Sequence, residues 1–182
     1  MPYYHHSVTD NWKKETTVAV IAGSKNDLPK IESLFDSLDK LSIKYTVFII
    51  SAHRNKDQLE EFLTCDLPES NIKFVIAVAG MAAHLGGTIA ADIYQPVFGI
   101  PIPSGNDPDG LKTKFAMSEL PPGFAQVAVL ADNIKDNCTK ISNLIARTLS
   151  VFDPEYDLKS HKEVLEKEKP AQIPYILKKD GE

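Results

Sequence analysis

The amino-acid sequence predicts an α/β protein, with a central parallel sheet and helices on both faces. Short apolar runs rich in β-branched residues recur along the chain, and polar or glycine-containing loops end them. Apolar residues at helical spacing follow most of these loops, as in residues 31–41. Strands that alternate with helices in this way favour a parallel sheet. About five such strands suit a three-layer, flavodoxin-like fold.

The five apolar runs have the length and composition of strands that are buried on both faces. They are residues 18–22, 45–50, 74–79, 97–100 and 127–130. Helices are predicted after the first, second, third and fifth runs, whereas a loop rich in proline and glycine, residues 101–110, follows the fourth. Pro29 is expected in the first turn of the first helix, where its missing N–H costs little.

The chain is predicted to form one domain with two peripheral segments. Its 182 residues, of which 43% are hydrophobic, suit a single sizeable core. Residues 1–15 are expected to be a flexible arm and residues 16–152 the α/β domain that holds the functional site. Residues 153–182 are expected to be a helical extension, with a peripheral helix over residues 156–169. Because this segment is charged and poor in apolar residues, we expect it to pack on a neighbouring subunit.

Charge, hydropathy and cysteine content exclude several classes of protein. The formal net charge is −5, and the absence of a basic block argues against a nucleic acid partner. No apolar run approaches the roughly 18 residues that span a bilayer, and the polar start lacks a signal-peptide core. Cys65 and Cys138 form no C-x-x-C motif, so we interpret them as free thiols, with a single disulfide as the alternative. The expected location is the cytoplasm.

The loop Gly23-Ser24-Lys25-Asn26-Asp27 follows the first predicted strand. Ligands of open α/β sheets bind at the carboxyl ends of strands. A glycine, a hydroxyl and free backbone N–H groups at a helix N-terminus favour an anion there. Ser24, Asn26 and Asp27 are equally suited to capping the helix. The loop matches neither the P-loop nor the dinucleotide-binding fingerprint, so its spacing alone does not define a ligand.

The loop Ser51-Ala52-His53-Arg54 follows the second strand. Serine and arginine both bind phosphate, the arginine bidentately. The imidazole of His53 suits proton transfer near neutral pH. The alternative is a surface histidine beside a solvated arginine. A serine nucleophile is not supported, because the sequence has no G-x-S-x-G motif.

The loop of residues 80–87 follows the third strand and consists mostly of glycine and alanine, which let a flat ligand approach the backbone. His84 lies in this loop, one strand away from His53. Two histidines at neighbouring strand ends are a minimal metal site, but no carboxylate or cysteine with ligand spacing accompanies them. We therefore predict no metal.

With these three loops considered together, the sequence resembles the aminoimidazole ribonucleotide carboxylase family of purine biosynthesis. The resemblance extends over residues 18–149, with the motifs in the same order and at matching separations. The matching motifs are Gly23-Ser24-Lys25-Asn26-Asp27, Ser51-Ala52-His53-Arg54, Ala79-Gly80 and Ala82-Ala83-His84-Leu85.

The resemblance implies an enzyme that forms 4-carboxy-5-aminoimidazole ribonucleotide. One branch of the family carboxylates aminoimidazole ribonucleotide with CO2, and the other is a mutase that moves the carboxyl group of N5-carboxyaminoimidazole ribonucleotide from nitrogen to C4. By resemblance, no cofactor or metal takes part, the partners are the ribonucleotide and CO2, and the assembly is a homo-octamer. His53 would move the C4 proton. The implied substrate-binding residues are Ser24, Asp27, Ser51 and Arg54 at the ribose phosphate, and Gly80, Met81, Ala82, His84 and Leu85 at the carboxyl group.

The sequence departs from the mutase pattern in the third loop. Val78, Met81 and Gly86 replace two glycines and a proline of that pattern, and residues 118–123 also resemble the direct carboxylases. Arg54 and the Ala83-His84 pair follow the mutase pattern instead. Because the departures fall in the loop that would handle the carboxyl group, we predict direct carboxylation, with the mutase as the alternative.

Two other functions are compatible with the same motifs. One is a non-catalytic nucleotide-binding module, because the fold alone does not define a function. The bulky side chain of Met81 favours this alternative, since backbone access is expected there. The other is a related carboxylase that acts on another azole or pyridine nucleotide.

Overall fold

Five parallel strands form one sheet in the order β2-β1-β3-β4-β5, which is the flavodoxin-like order. The structure is a computed structural model that describes residues 11–122, 126–128 and 133–157. The strands are β1 (Val18–Ala22), β2 (Tyr45–Ile49), β3 (Phe74–Gly80), β4 (Val97–Ile102) and β5 (Gln126–Ala128). The predicted fold class is confirmed, and each predicted strand is found to within two residues at the ends that the structure describes.

Six α-helices accompany the sheet within the described residues. They are α1 (Trp12–Glu15), α2 (Glu32–Lys40), α3 (Lys56–Glu61), α4 (Leu85–Asp92), α5 (Leu111–Ser118) and α6 (Ile134–Phe152). A 3-10 helix, Lys25–Ile31, precedes α2, and a π-helical turn, Phe62–Asp66, follows α3. Pro29 therefore lies inside the 3-10 segment rather than in the first turn of an α-helix.

The sheet separates two apolar cores, because successive side chains of a strand point to opposite faces. Val18, Val20 and Ala22 of β1 belong to the core that α2 and α6 cover. Ala19 and Ile21 belong to the core that α3 and α4 cover. All five residues of β1 are buried. The continuous apolar runs of the sequence thus reflect burial on both faces.

Helix α5 was not predicted. Its sequence, LKTKFAMS, lacks an apolar stripe, and only Thr113 and Met117 are buried. Gly110 precedes the helix with a φ of 64°, a left-handed conformation that glycine adopts without steric cost. The side chain of Asp107 accepts hydrogen bonds from the first turn of α5. The start of α5 is therefore specified by the contact with Asp107 rather than by a periodic pattern of apolar residues.

Two ends of the chain fall partly outside the described residues. Within the predicted arm, residues 12–15 form α1, and the ring of Trp12 packs 5.2 Å from that of Phe48. The predicted C-terminal helix, residues 156–169, lies outside the described residues beyond position 157. The hydroxyl of Tyr156 donates to the carbonyl of Leu41 at 2.9 Å, so the chain after α6 returns to the end of α2.

Cys65 and Cys138 are both free, as predicted. Cys65 is exposed, whereas Cys138 is fully buried in α6, and burial raises the pKa of its thiol. No helix in the described part of the chain is long and apolar enough to cross a membrane.

Candidate active site

A cavity of about 530 Å³ opens at the carboxyl ends of β1 to β4. Nine of the ten predicted site residues line it: Ser24, Asp27, Ser51, His53, Arg54, Gly80, Met81, Ala82 and Leu85. The tenth, His84, reaches the cavity through a contact with His53. The three loops that were predicted to bind the ligand therefore meet at one place.

The loop after β1 is held against β3 and capped by its own serine. The backbone N–H of Gly23 donates to the carbonyl of Val78 at 3.0 Å. The hydroxyl of Ser24 accepts from the backbone N–H of Asn26 at 3.2 Å and caps the 3-10 helix. The capping alternative is thus confirmed for Ser24. Ser24, Asn26 and Asp27 all line the cavity.

Asp27 is a partly buried carboxylate inside the cavity. Burial raises its pKa above the ordinary value, and the positive charges of Lys30 and Arg54 offset part of that rise. Lys30 lies 3.6 Å from a carboxylate oxygen of Asp27 and donates to the carbonyl of Pro103 at 3.3 Å. The charged side chains in the cavity wall are therefore two cations and one carboxylate. This balance favours an anionic ligand.

Lys30 and Ser104 line the cavity but were not predicted from the sequence. Lys30 follows Asp27 by three positions in a helical segment, which places the two side chains on the same face. That spacing was a usable signal. Ser104 follows β4 in the loop rich in proline and glycine, where no motif distinguishes it.

The loop after β2 contains two of the four residues expected at the ribose phosphate, Ser51 and Arg54. Ser51 is only 8% exposed, and its hydroxyl accepts from the backbone N–H of Arg54 at 3.3 Å. The guanidinium of Arg54 donates through Nη2 to the carbonyl of Gly23 at 2.7 Å. Arg54 thus links the loop after β2 to the end of β1, and it also lines the cavity. A guanidinium has further N–H donors beyond the one used in this bond.

His53 and His84 are in direct contact. Nε2 of His53 lies 3.3 Å from Nδ1 of His84, and the rings meet edge to face. Both side chains are exposed. No group of three or more potential metal ligands occurs in the regions that the structure covers. The contact can instead carry a proton, because a neutral imidazole has one donor and one acceptor nitrogen.

The loop after β3 approaches β4 closely. A Cβ at Gly80 would lie 2.8 Å from the carbonyl oxygen of Ile102, so glycine is required there by the neighbouring strand. We predicted that glycine would serve the approach of a ligand, and the structure adds this second reason. Met81 has a φ of 59°, and its side chain is 71% exposed at the cavity. A left-handed residue other than glycine costs roughly 1–2 kcal/mol, so its surroundings must stabilise it.

Only one of the three departures from the mutase pattern faces the cavity. Val78 is fully buried in β3, where it belongs to the core that α2 and α6 cover. Gly86 is buried within α4. Met81 alone lines the cavity. Direct carboxylation was predicted from all three positions. Of these, Met81 is the one that lies where it could affect a ligand in the cavity.

Comparison with known proteins identifies the family. The model of the family described as AIR carboxylase matches residues 17–169. The chain belongs to the AIR carboxylase family. This match includes all ten predicted site residues, and it confirms the resemblance drawn from the three loops.

The relatives of this chain within the AIR carboxylase family are named either as mutases or as carboxylases. The chain is 33% identical over 166 residues to the N5-carboxyaminoimidazole ribonucleotide mutase of Thermotoga maritima, covering 87% of this chain and 94% of that protein. It is 35% identical over 138 residues to the mutase of Pyrococcus abyssi, covering 76% of each. It is also 33% identical over 156 residues to the phosphoribosylaminoimidazole carboxylase of Saccharomyces cerevisiae, covering 86% of this chain. The chain spans about a quarter of that carboxylase, 26% of its length.

The fold of this family member is also that of solved structures. A crystallised variant of the PurE2 protein of Treponema denticola superposes with a TM-score of 0.65 at 23% identity, covering 84% of this chain and 91% of that one. The PurE protein of the same organism gives a TM-score of 0.64 at 24% identity. At these identities the superpositions support the fold alone.

Proposed function

We propose that this member of the AIR carboxylase family is an enzyme of purine biosynthesis, namely a mutase. It would convert N5-carboxyaminoimidazole ribonucleotide to 4-carboxy-5-aminoimidazole ribonucleotide. The observation that carries the proposal is the 3.3 Å contact between His53 and His84 at the edge of a cavity with two cations. This contact provides a proton-transfer group where an anionic ribonucleotide can bind.

The mutase is preferred to direct carboxylation for two reasons. The residues that follow the mutase pattern, Arg54 and His84, make contacts at the cavity, whereas Val78 and Gly86 lie in the core and in α4. In addition, the chain covers 94% of the Thermotoga maritima mutase but only 26% of the Saccharomyces cerevisiae carboxylase. Direct carboxylation is the second candidate, and Met81 in the cavity wall favours it.

The phosphate of the substrate would bind between the first two loops. Arg54 provides a guanidinium fork for phosphate oxygens, and Ser24 and Ser51 provide hydroxyls beside it. Backbone N–H groups at the start of the 3-10 helix add further donors. The carboxylate of Asp27 would accept from the ribose hydroxyls. The nucleotide would then extend toward the loop after β3.

The aminoimidazole ring and the carboxyl group would lie beside His53 and the loop of Gly80, Met81, Ala82 and Leu85. In the mutase reaction the N–C bond to the carboxyl group breaks and the nitrogen gains a proton. The C4–C bond then forms and C4 loses a proton. The net change is one proton moved from C4 to nitrogen, so a single group near both atoms is sufficient, and His53 is the residue proposed for it. The enclosing loop would keep the released CO2 over C4.

An ultraviolet assay of the full chain tests the proposal. Conversion of N5-carboxyaminoimidazole ribonucleotide at low bicarbonate, with little product from aminoimidazole ribonucleotide, is the expected result. Product from aminoimidazole ribonucleotide that increases with bicarbonate would support the direct carboxylase instead. Binding of either ribonucleotide with no turnover of either, and no decarboxylation of the product, would support a non-catalytic module. The His53→Asn variant is the control for background decarboxylation.

We also propose, by resemblance to the family, a homo-octamer in the cytoplasm with no cofactor. Light scattering on the purified chain tests the assembly. A monomer at assay concentration would contradict it.

A further inference from the structure

Asp107 and Thr113 lie behind the cavity, in the segment that links β4 to α5. Neither residue lines the cavity, and no sequence motif includes either of them. Both are buried: Asp107 is 7% exposed and Thr113 is fully buried. A buried carboxylate requires hydrogen-bond donors, so the donors to Asp107 show which chain segments it holds together.

The side chain of Asp107 accepts three hydrogen bonds from residues at the start of α5. Its carboxylate accepts from the backbone N–H of Lys112 at 3.2 Å and from that of Thr113 at 2.9 Å. The hydroxyl of Thr113 donates to Oδ2 at 2.8 Å. A helix cap requires only the backbone donors. The third bond is additional, and it orients the Thr113 hydroxyl.

The same hydroxyl contacts the loop that lines the cavity. Oγ1 of Thr113 lies 3.4 Å from the carbonyl oxygen of Met81, a longer contact than the one to Asp107. Met81 is the residue held at a φ of 59°. Its neighbour Gly80 is confined by the carbonyl of Ile102. A threonine hydroxyl has a single hydrogen, so Thr113 shares it between the Asp107 carboxylate and, at the longer distance, the Met81 carbonyl. Thr113 therefore supports the strained turn through the weaker branch of a shared hydrogen bond, and β4 confines the turn from the side.

Asp107 also fixes a second part of the cavity wall through its backbone. Its N–H donates to the carbonyl of Ser104 at 2.9 Å, and its carbonyl accepts from the N–H of Ser104 at 3.1 Å. Ser104 lines the cavity. One buried residue thus connects the wall after β4 with the wall after β3.

We propose that Asp107 and Thr113 are positioning residues for the reaction, which hold the Met81 turn in the geometry that encloses the reacting carboxyl group. The proposal rests on the proposed function in one respect, namely that this loop covers the carboxyl group. The loops of Ser24, Asp27, Ser51 and Arg54 belong to β1 and β2, so disturbing the Met81 turn leaves phosphate binding intact. Loss of the Thr113 hydroxyl is therefore expected to lower kcat and to leave KM nearly unchanged. A misplacement of about 1 Å at a reacting centre lowers a rate by as much as about 10²-fold.

The Thr113→Val and Thr113→Ser variants separate the hydroxyl from the packing of the side chain. Valine keeps the shape and removes the hydroxyl, whereas serine keeps the hydroxyl and removes a methyl group. We expect Thr113→Val to lower kcat about tenfold or more with KM within about twofold, and Thr113→Ser to retain kcat within about threefold. Crystal structures of both variants should show Met81 leaving the left-handed region only in the valine variant.

Three results would overturn the proposal. The first is an equal kcat in the wild type and both variants, and the second is an equal loss of kcat in both variants that is accompanied by a lower Tm in both. The third is a Met81 turn that is unchanged in the valine variant. If Thr113→Val does not fold, Asp107→Asn replaces it with the same criteria. If the wild type converts no ribonucleotide, the proposed function fails, and the Met81 conformation in the crystal structures decides the positioning role alone.

Discussion

Nε2 of His53 lies 3.3 Å from Nδ1 of His84, although the two residues are 31 positions apart in the chain. One ring follows β2 and the other precedes α4. The two nitrogens cannot both carry a proton in this contact, because two N–H groups would face each other. His84 therefore influences which nitrogen of His53 is free to accept a proton from substrate.

The first prediction concerns His53. His53→Asn removes the proton acceptor while keeping a polar side chain of similar size. Turnover of N5-carboxyaminoimidazole ribonucleotide should fall by at least about 10²-fold, since general base catalysis contributes that much or more. The affinity for the product should change little when it is measured by calorimetry. A variant that retains a tenth of the wild-type kcat would exclude His53 as the proton-transfer group.

The second prediction concerns Arg54. Arg54→Ala removes both the guanidinium fork and the hydrogen bond to Gly23. KM should rise about ten- to hundredfold, because a hydrogen bond to a charged group contributes roughly 1.5–3 kcal/mol. Arg54→Lys should restore only part of the affinity, since lysine lacks the planar fork. Lys56→Ala is the control, because Lys56 is exposed in α3 and does not line the cavity. An equal rise of KM in Lys56→Ala would indicate a general charge effect instead.

The third prediction concerns the pH dependence of stability at Asp27. Burial raises the pKa of its carboxyl in the folded state above the ordinary value of 3.8. The folded chain thus binds this proton more tightly than the unfolded chain does, and the folded state is destabilised as pH rises from the ordinary pKa through the raised pKa. Asp27→Asn should therefore raise Tm at pH 7, and the gain should shrink as pH falls toward 4. Turnover should decrease in the same variant.

Thermal unfolding monitored by circular dichroism between pH 4 and pH 7 measures this difference. Glu60→Gln is the matched control, because Glu60 is an exposed carboxylate on α3 outside the cavity. A Tm gain of the same size in Glu60→Gln, or a gain in Asp27→Asn that is independent of pH, would contradict the assignment.

The fourth prediction concerns the two cysteines. Cys65 is exposed, while Cys138 is fully buried with a raised pKa, so only Cys65 should react quickly with a thiol reagent. Ellman's reagent should titrate one thiol per chain in the native protein and both after unfolding in guanidinium. Cys65→Ser should abolish the fast phase. Two fast thiols in the native chain would show that α6 opens readily.

The apolar runs of the sequence predicted the sheet because parallel strands are buried on both faces and leave a continuous signal. Val18 to Ala22 is such a run, and its predicted limits match β1. Helix α5 left no comparable signal, because Gly110 and the carboxylate of Asp107 start it. Its limits depend on a contact formed in the folded chain.

The amino-acid sequence was sufficient to predict the fold class, the family and nine residues that line one cavity, because strand ends and loop chemistry are local properties. Which departures from the mutase pattern face the cavity depends instead on how the chain folds. Val78 and Met81 are three positions apart, yet one packs in the core and the other lines the cavity. Alternating side-chain direction along β3 and the left-handed turn after it separate them. The approach of Thr113 to Met81, and of His84 to His53, likewise results from chain segments that meet only when the sheet forms.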